Sequence, residues 1–198
     1  MGNYRAPVDD MSFLIDEVLE AEKVLGPLPG FAELGVGPEL TTALLDEAAK
    51  LAGDAIAPLR RVGDAQPATC KDGRVTTSPG YDAALNQLGA GGWIGISADP
   101  GYGGQGLPEI YSTVGHEMWN SADMALALAP MLSCGAALAI HAHGTDAQKQ
   151  TYLEKLHTGE WMGTMNLTES GAGSDLGVMK TRAEPEGDHY RIRGQKIY

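Results

Sequence analysis

The chain has 198 residues, 43% hydrophobic and 20% charged, with a formal net charge of -12. That length can bury one core or two small ones. The acidic balance argues against a nucleic-acid surface, which needs clustered Lys and Arg.

From the N-terminus, Met11, Leu14, Ile15, Val18 and Leu19 recur at helical spacing and predict one apolar helix face. Asp9 or Asp10 is placed to cap this helix, and Gly26-Pro27 to stop it. Residues 35–38 read as a linker. A second helix should carry Leu40, Leu44, Ala48, Leu51 and Ala55 on one face and end or kink at Pro58. Residues 63–80 are punctuated by Gly and Pro and read as a loop. A short helix with Tyr81, Ala84, Leu85 and Leu88 follows. Residues 89–108 hold too much Gly and Pro for regular helix. Three more helices fit 109–120, 124–143 and 146–157, with Thr145 as N-cap of the last.

Near Trp161 the period changes. Trp161, Gly163, Met165 and Leu167 alternate with Met162, Thr164, Asn166 and Thr168, as in a strand. Residues 178–184 and 189–193 are further strand candidates about Glu186-Gly187-Asp188. A helical run followed by strands predicts an α+β arrangement, an all-α domain and then the start of an antiparallel β domain. Two or three strands cannot bury both faces, so a longer protein is expected.

Cys70 and Cys134 make no disulfide framework and read as free thiols in a reducing compartment. The polar N-terminus, with Asp9 and Asp10, resembles neither a signal peptide nor a transit peptide. Residues 125–140 form the longest apolar run, but Pro130, Ser133 and Gly135 break it short of a membrane span. A soluble, cytoplasmic protein is expected.

Three motifs suggest chemistry. Residues 101–106 satisfy G-x-G-x-x-G, yet Pro100 and Pro108 flank them where a dinucleotide site needs a buried strand and a crossover helix. A tight loop between helices is expected instead. His141 and His143 are two apart on a helix and point to different faces, so no metal site is expected. His116-Glu117 lacks a second histidine, since position 120 is Asn, and Cys134 has no neighbouring base. The third motif is the run 167–177, with three glycines, hydroxyls on Thr168, Ser170 and Ser174, and carboxylates on Glu169 and Asp175. Glycine admits close backbone approach, and successive free N–H groups suit phosphate oxygens.

The letters Thr168-Glu169-Ser170-Gly171-Ala172-Gly173-Ser174-Asp175 resemble the flavin signature of the acyl-CoA dehydrogenase family. Ser170 replaces the usual proline, which would have fixed φ. Gly92 to Ile96, Pro100, residues 102–108, His143-Gly144-Thr145 with Gln148-Lys149 and Tyr152-Leu153, and residues 187–198 resemble further segments of the family. Tyr4, Ala6-Pro7, Asp10-Met11 and Phe13 resemble the short N-terminal extension of its broad acyl-CoA and 3-methylmercaptopropionyl-CoA dehydrogenases. The resemblance runs from residue 4 to residue 198.

The resemblance implies an extension over 1–30, a helical domain over 31–160 and the beginning of the β domain over 161–198, with a C-terminal helical bundle to follow. It implies FAD as cofactor. Met165, Leu167 and Thr168 fall where the family lays strand backbone and a Thr hydroxyl on the polar edge of the flavin ring. Gly173 and Ser174 fall at the pyrophosphate, Ser174 also near the CoA portion, and Tyr198 where many members stack Trp on the flavin. Met131, Leu132 and Gly135 match acyl-pocket positions. The implied reaction oxidises acyl-CoA to trans-2-enoyl-CoA, with an electron-transfer flavoprotein as partner and a homodimer or homotetramer as assembly. No nucleic-acid or membrane partner is implied. The family's base is a late Glu that no residue here matches, so the 198 residues alone are expected to be inactive. The alternatives are an acyl-CoA oxidase, or a non-catalytic or regulatory flavoprotein such as the DNA-associated alkylation-response proteins.

Overall fold

The computed structural model describes residues 4–197. The chain divides into two units between Gly163 and Thr164.

The first unit is helical. Helix α1 (Val8–Phe13) runs into a wider π-type turn, Leu14–Val18, and α2 (Ala21–Leu25) follows. The widened turn shifts the side-chain register. Met11 and Ile15 are buried, while Leu14, Val18 and Leu19 of the expected face are exposed. Asp9 and Asp10 sit in the first turn beside the helix dipole and do not cap it. Helix α2 stops at Gly26-Pro27 as expected.

Pro38 opens α3 (Pro38–Leu51), which also widens, over Ala52–Ile56. Its buried face is Thr41, Leu45, Ala48, Ala52 and Ile56, turned by about one residue from the expected face. Thr41 sets the offset: its Oγ1 lies 3.1 Å from the Tyr111 hydroxyl, so a buried polar pair needs it inside. Helix α4 (Leu59–Ala65) starts directly after Pro58.

Residues 63–80 hold more than a loop. Strands β1 (Thr69–Lys71) and β2 (Arg74–Thr76) form a small antiparallel hairpin. Asp72 and Gly73 both take positive φ at its turn, the geometry that the Asp-Gly dipeptide favours. Helix α5 (Tyr81–Ala90) buries Ala84 and Leu88.

Helix α6 (Glu109–His143) is not one straight rod. Asp123, at φ -156° and ψ 97°, leaves the helical region and divides it. Asp123 Oδ1 accepts the N–H groups of Ala125 (3.1 Å) and Leu126 (3.3 Å), as an N-cap does for a new helix. Its Oδ2 accepts the Tyr81 hydroxyl at 2.8 Å, which ties the break to α5. By length and composition α6 could cross a membrane, contrary to the reading of its apolar run. Its second half nevertheless buries Leu126, Ala127, Pro130, Ser133 and Ala137 inside the helical unit. Met118, Trp119, Ala122, Leu126 and Ala127 pack with Leu45, Ala48, Ala52 and Ile56 of α3 and its extension. Trp93 meets Trp119 edge-on at 5.9 Å.

Helix α7 (Asp146–His157) carries the expected cap. Thr145 Oγ1 accepts the Gln148 N–H, and the Gln148 side chain accepts the Thr145 N–H at 2.8 Å.

In the second unit, β3 (Arg182–Glu186) and β4 (His189–Arg193) form an antiparallel hairpin with Gly187 at φ 67°. β3 starts later than expected because residues 176–178 form a 3₁₀ turn, capped by Asp175 Oδ1 on the Gly177 N–H. Residues 161–168 form no strand. A strand needs a ladder, and among the described residues 164–168 accept one backbone bond, from Ile197 N–H to the Thr168 carbonyl.

Asp123→Ala removes a cap and the acceptor of the Tyr81 hydroxyl. It should destabilise the helical unit by roughly 2 kcal/mol. Tyr81→Phe loses one hydrogen bond and should cost about 1 kcal/mol. Denaturant midpoints of the two variants check this order.

Candidate functional site

A cavity of about 500 Å³ lies within the helical unit. Glu109, Ser112 and His116 of the first half of α6 line it, as do Met131, Cys134, Gly135 and Leu138 of the second half. Along a straight helix Ser112 and Gly135 would stand about 35 Å apart, far more than the width of such a cavity. The Asp123 break therefore brings both halves of α6 to one wall.

The loop between α5 and α6 supplies Ile94, Ser97, Ala98 and Asp99. Its chain folds back on itself, with Gln105 N–H on the Gly95 carbonyl and Leu107 N–H on the Ile96 carbonyl. This is the tight loop expected of residues 101–106. A Cβ on Gly104 would collide with the Ala98 carbonyl, so only glycine fits that turn. Buried His157 donates from Nδ1 to the Tyr102 carbonyl at 2.8 Å and fixes the loop on α7. Asp99 lies 3.2 Å from His141 Nε2. The Gly101 N–H, and then His141, hold the Asp99 carboxyl below its ordinary value.

Two other lining groups are shifted by their surroundings. Burial pushes the Cys134 thiol up to about 11, and its Sγ–H donates to the Ile94 carbonyl. It is an inert thiol at neutral pH. Burial also pushes His116 down, which favours its neutral imidazole. His116 Nδ1 has no hydrogen-bond partner among the described residues. No cluster of three His, Cys, Asp or Glu suited to a metal ion occurs among the described residues.

The structure places Met131 and Gly135 on the cavity wall and Leu132 off it. A Cβ on Gly135 would meet nothing within 4 Å, so the space beside it is open. Asp99 and His157 were not weighed as sequence candidates, and His116 and His141 were weighed only as metal motifs and set aside. Their neighbours come from distant segments, and no local spacing signals them.

The second unit holds the glycine loop. Glu169 and Ala172 exchange backbone bonds of 3.1 and 3.0 Å and close a tight turn. The Glu169 side chain points inward and is buried. It accepts the N–H groups of Lys180 (2.8 Å) and Thr181 (3.0 Å), and Lys196 Nζ at 2.9 Å. These donors, the Lys180 N–H foremost, hold its carboxyl down at about 2. Met165, Leu167, Thr168, Gly173 and Ser174 all face outward. Gly171 and Gly173 have no positive φ, and a Cβ on either meets nothing within 4 Å. Among the described residues neither strain nor packing calls for glycine there, and the open backbone leaves room for close approach of a ligand. The loop thus fits a phosphate-bearing cofactor. Tyr198, the remaining candidate, lies outside the described residues.

Residues 38–160 match the family described as acyl-CoA dehydrogenase, N-terminal domain. The chain is similar to 3-methylmercaptopropionyl-CoA dehydrogenase of Ruegeria pomeroyi, at 41% identity over 98% of this chain and 33% of that protein. Among solved structures it is similar to an acyl-CoA dehydrogenase from Geobacillus kaustophilus, with TM-score 0.67 and 26% identity over 80% of this chain and 38% of that one. It is likewise similar to an acyl-CoA dehydrogenase complexed with FAD from Bacillus anthracis, with TM-score 0.66 and 26% identity over 78% of this chain and 25% of that one. The chain spans about a third of the length of the curated relatives it matches.

Glu169 has its lowered pKa only while the clamp is formed. Its contribution is complete above the ordinary value of 4.5 and is lost as pH falls toward about 2. Protection of the Lys180 and Thr181 amides, relative to the intrinsic exchange rate at each pH, should hold at pH 5 and fall through that window. Glu169→Gln should remove most of this pH dependence.

Proposed function

The chain belongs to the acyl-CoA dehydrogenase family, and on that premise we propose that it is the N-terminal part of an FAD-dependent acyl-CoA dehydrogenase. The observation that carries the reading is the outward-facing loop 168–174, whose glycines are left open by the protein itself. Bound FAD would accept a hydride from the acyl β carbon.

The chain's own part is binding and orientation. Met165, Leu167 and Thr168 offer backbone groups and a hydroxyl to the flavin ring. Gly173 and Ser174 offer N–H groups and a hydroxyl to its pyrophosphate, and Ser174 also serves the CoA moiety. Tyr198 is assigned the aromatic contact to the ring. The cavity beside Gly135 and Met131 accepts the acyl carbons, whereas Leu132 lies off that wall. Glu169 is not the base. A carboxylate held near 2 is a weak proton acceptor, and its oxygens already bind three donors. The proton acceptor is a Glu from the remainder of the protein.

The substrate is an acyl-CoA thioester. The relative named for 3-methylmercaptopropionyl-CoA supports a short sulfur-containing acyl group, and the N-terminal extension suits a broad acyl group equally. The electrons pass to an electron-transfer flavoprotein. The functional form is a cytoplasmic homodimer or homotetramer, in which 1–30 is an extension, 31–160 the helical domain and 161–198 the start of the β domain.

The full-length protein should purify with flavin absorbance, and an acyl-CoA panel with an artificial electron acceptor should identify its substrate. Absence of flavin, or no turnover with any acyl-CoA, would overturn the reading. Residues 1–198 alone should show no turnover. Gly135→Leu fills the cavity and should raise KM at least about tenfold with flavin content unchanged, the loss of a few buried methylenes' worth of contact.

A further inference from the structure

Lys196 is the most fully engaged cation of the second unit. Its Nζ donates to the Leu167 carbonyl at 2.9 Å, to Glu169 Oε1 at 2.9 Å and to Met179 Sδ at 3.4 Å. An ammonium has three donors, and all three are used. The next residue continues the contact: Ile197 N–H donates to the Thr168 carbonyl at 2.8 Å. The 196–197 segment therefore grips both carbonyls that flank the Thr168 backbone.

The Leu167 carbonyl and the Thr168 N–H belong to one peptide group. An ammonium on that oxygen draws electron density from the nitrogen and makes the N–H a stronger donor. Among the described residues that N–H has no acceptor. Glu169 completes the device. It anchors Lys196 and simultaneously holds the Lys180 and Thr181 N–H groups, so the ammonium cannot swing away without breaking the clamp. Lys196 is about three-quarters buried, unlike a solvated surface lysine.

The geometry points to Lys196 as a positioning residue for the flavin: it fixes and polarises the Leu167–Thr168 peptide so that its N–H is presented to an electron-rich acceptor atom on the ring. This rests on the flavin reading above. Lys196 itself is not assigned a contact with flavin or substrate. A polarised donor at the ring's polar edge favours the electron-rich reduced form. Its loss makes the flavin harder to reduce.

The test uses the full-length flavoprotein. Lys196→Met should lower the flavin midpoint potential, shift the visible flavin spectrum and weaken flavin retention about tenfold, the low end for a charge-assisted hydrogen bond. Lys196→Arg should restore most of all three, because it keeps charge and donors. Lys196→Gln keeps a donor without the charge and should recover retention more than potential; it also serves if Lys196→Met fails to fold. Unchanged potential and spectrum in both neutral variants overturn the inference alone. So does an arginine variant as impaired as the methionine one, which would make Lys196 a packing element. An unvaried protein that takes up no flavin overturns this inference and the flavin reading together.

Discussion

The carboxylate of Asp123 is the constraint on which the helical unit depends. A residue in a helix interior normally passes the backbone ladder onward. Asp123 ends one ladder and starts another, because its Oδ1 replaces the carbonyls that Ala125 and Leu126 would otherwise need. Its second oxygen is held by Tyr81, whose hydroxyl burial and this carboxylate push up to about 12. The tyrosine therefore keeps its proton and remains a donor throughout the physiological range. Without the break, Ser112 and Gly135 could not share a cavity wall.

The second unit uses the same device. Glu169 is a buried carboxylate set on two backbone N–H groups, with Lys196 as counter-ion. In both units a short acidic side chain replaces missing backbone acceptors where the chain must turn. The alternative, buried N–H groups with no acceptor, costs about 1–3 kcal/mol each. The difference lies in what each carboxylate organises. Asp123 directs a helix and so shapes a cavity. Glu169 anchors residues 180, 181 and 196 to a loop whose own glycines stay exposed.

Local signals carried the helical boundaries. Thr145 and Gln148 form a capping box, Gly26-Pro27 stops α2, and the split between residues 120 and 124 coincides with a real departure from helical φ and ψ. The helix faces were harder. A 3.6-residue period assumes regular helix, whereas the chain widens over Leu14–Val18 and Ala52–Ile56, and a buried Thr41–Tyr111 pair selects the inner face of α3. Asp72-Gly73 did announce a hairpin, since that dipeptide suits two positive φ values, but the surrounding Gly and Pro masked it. Residues 161–168 alternate as a strand yet have no ladder among the described residues. Periodicity reports side-chain direction, and pairing must come from elsewhere. For the site, Met131 and Gly135 came from family resemblance rather than spacing. Asp99 with His141, and His157 with the Tyr102 carbonyl, are joined by tertiary contacts that no local pattern encodes.

The titration of the strongly shifted groups argues for what this chain does. Glu169 is moved to about 2, Cys134 to about 11 and Tyr81 to about 12. Each has moved away from neutrality. Groups that transfer protons in a reaction are tuned the other way, toward the working pH. A carboxylate that stays charged, a thiol that stays protonated and a phenol that stays a donor suit fixed hydrogen bonds. These residues hold a cavity and a loop in place, and their chemistry is that of a frame. Abstracting an α proton needs a carboxylate with free lone pairs aimed at carbon, and the clamped oxygens of Glu169 are already committed to nitrogen.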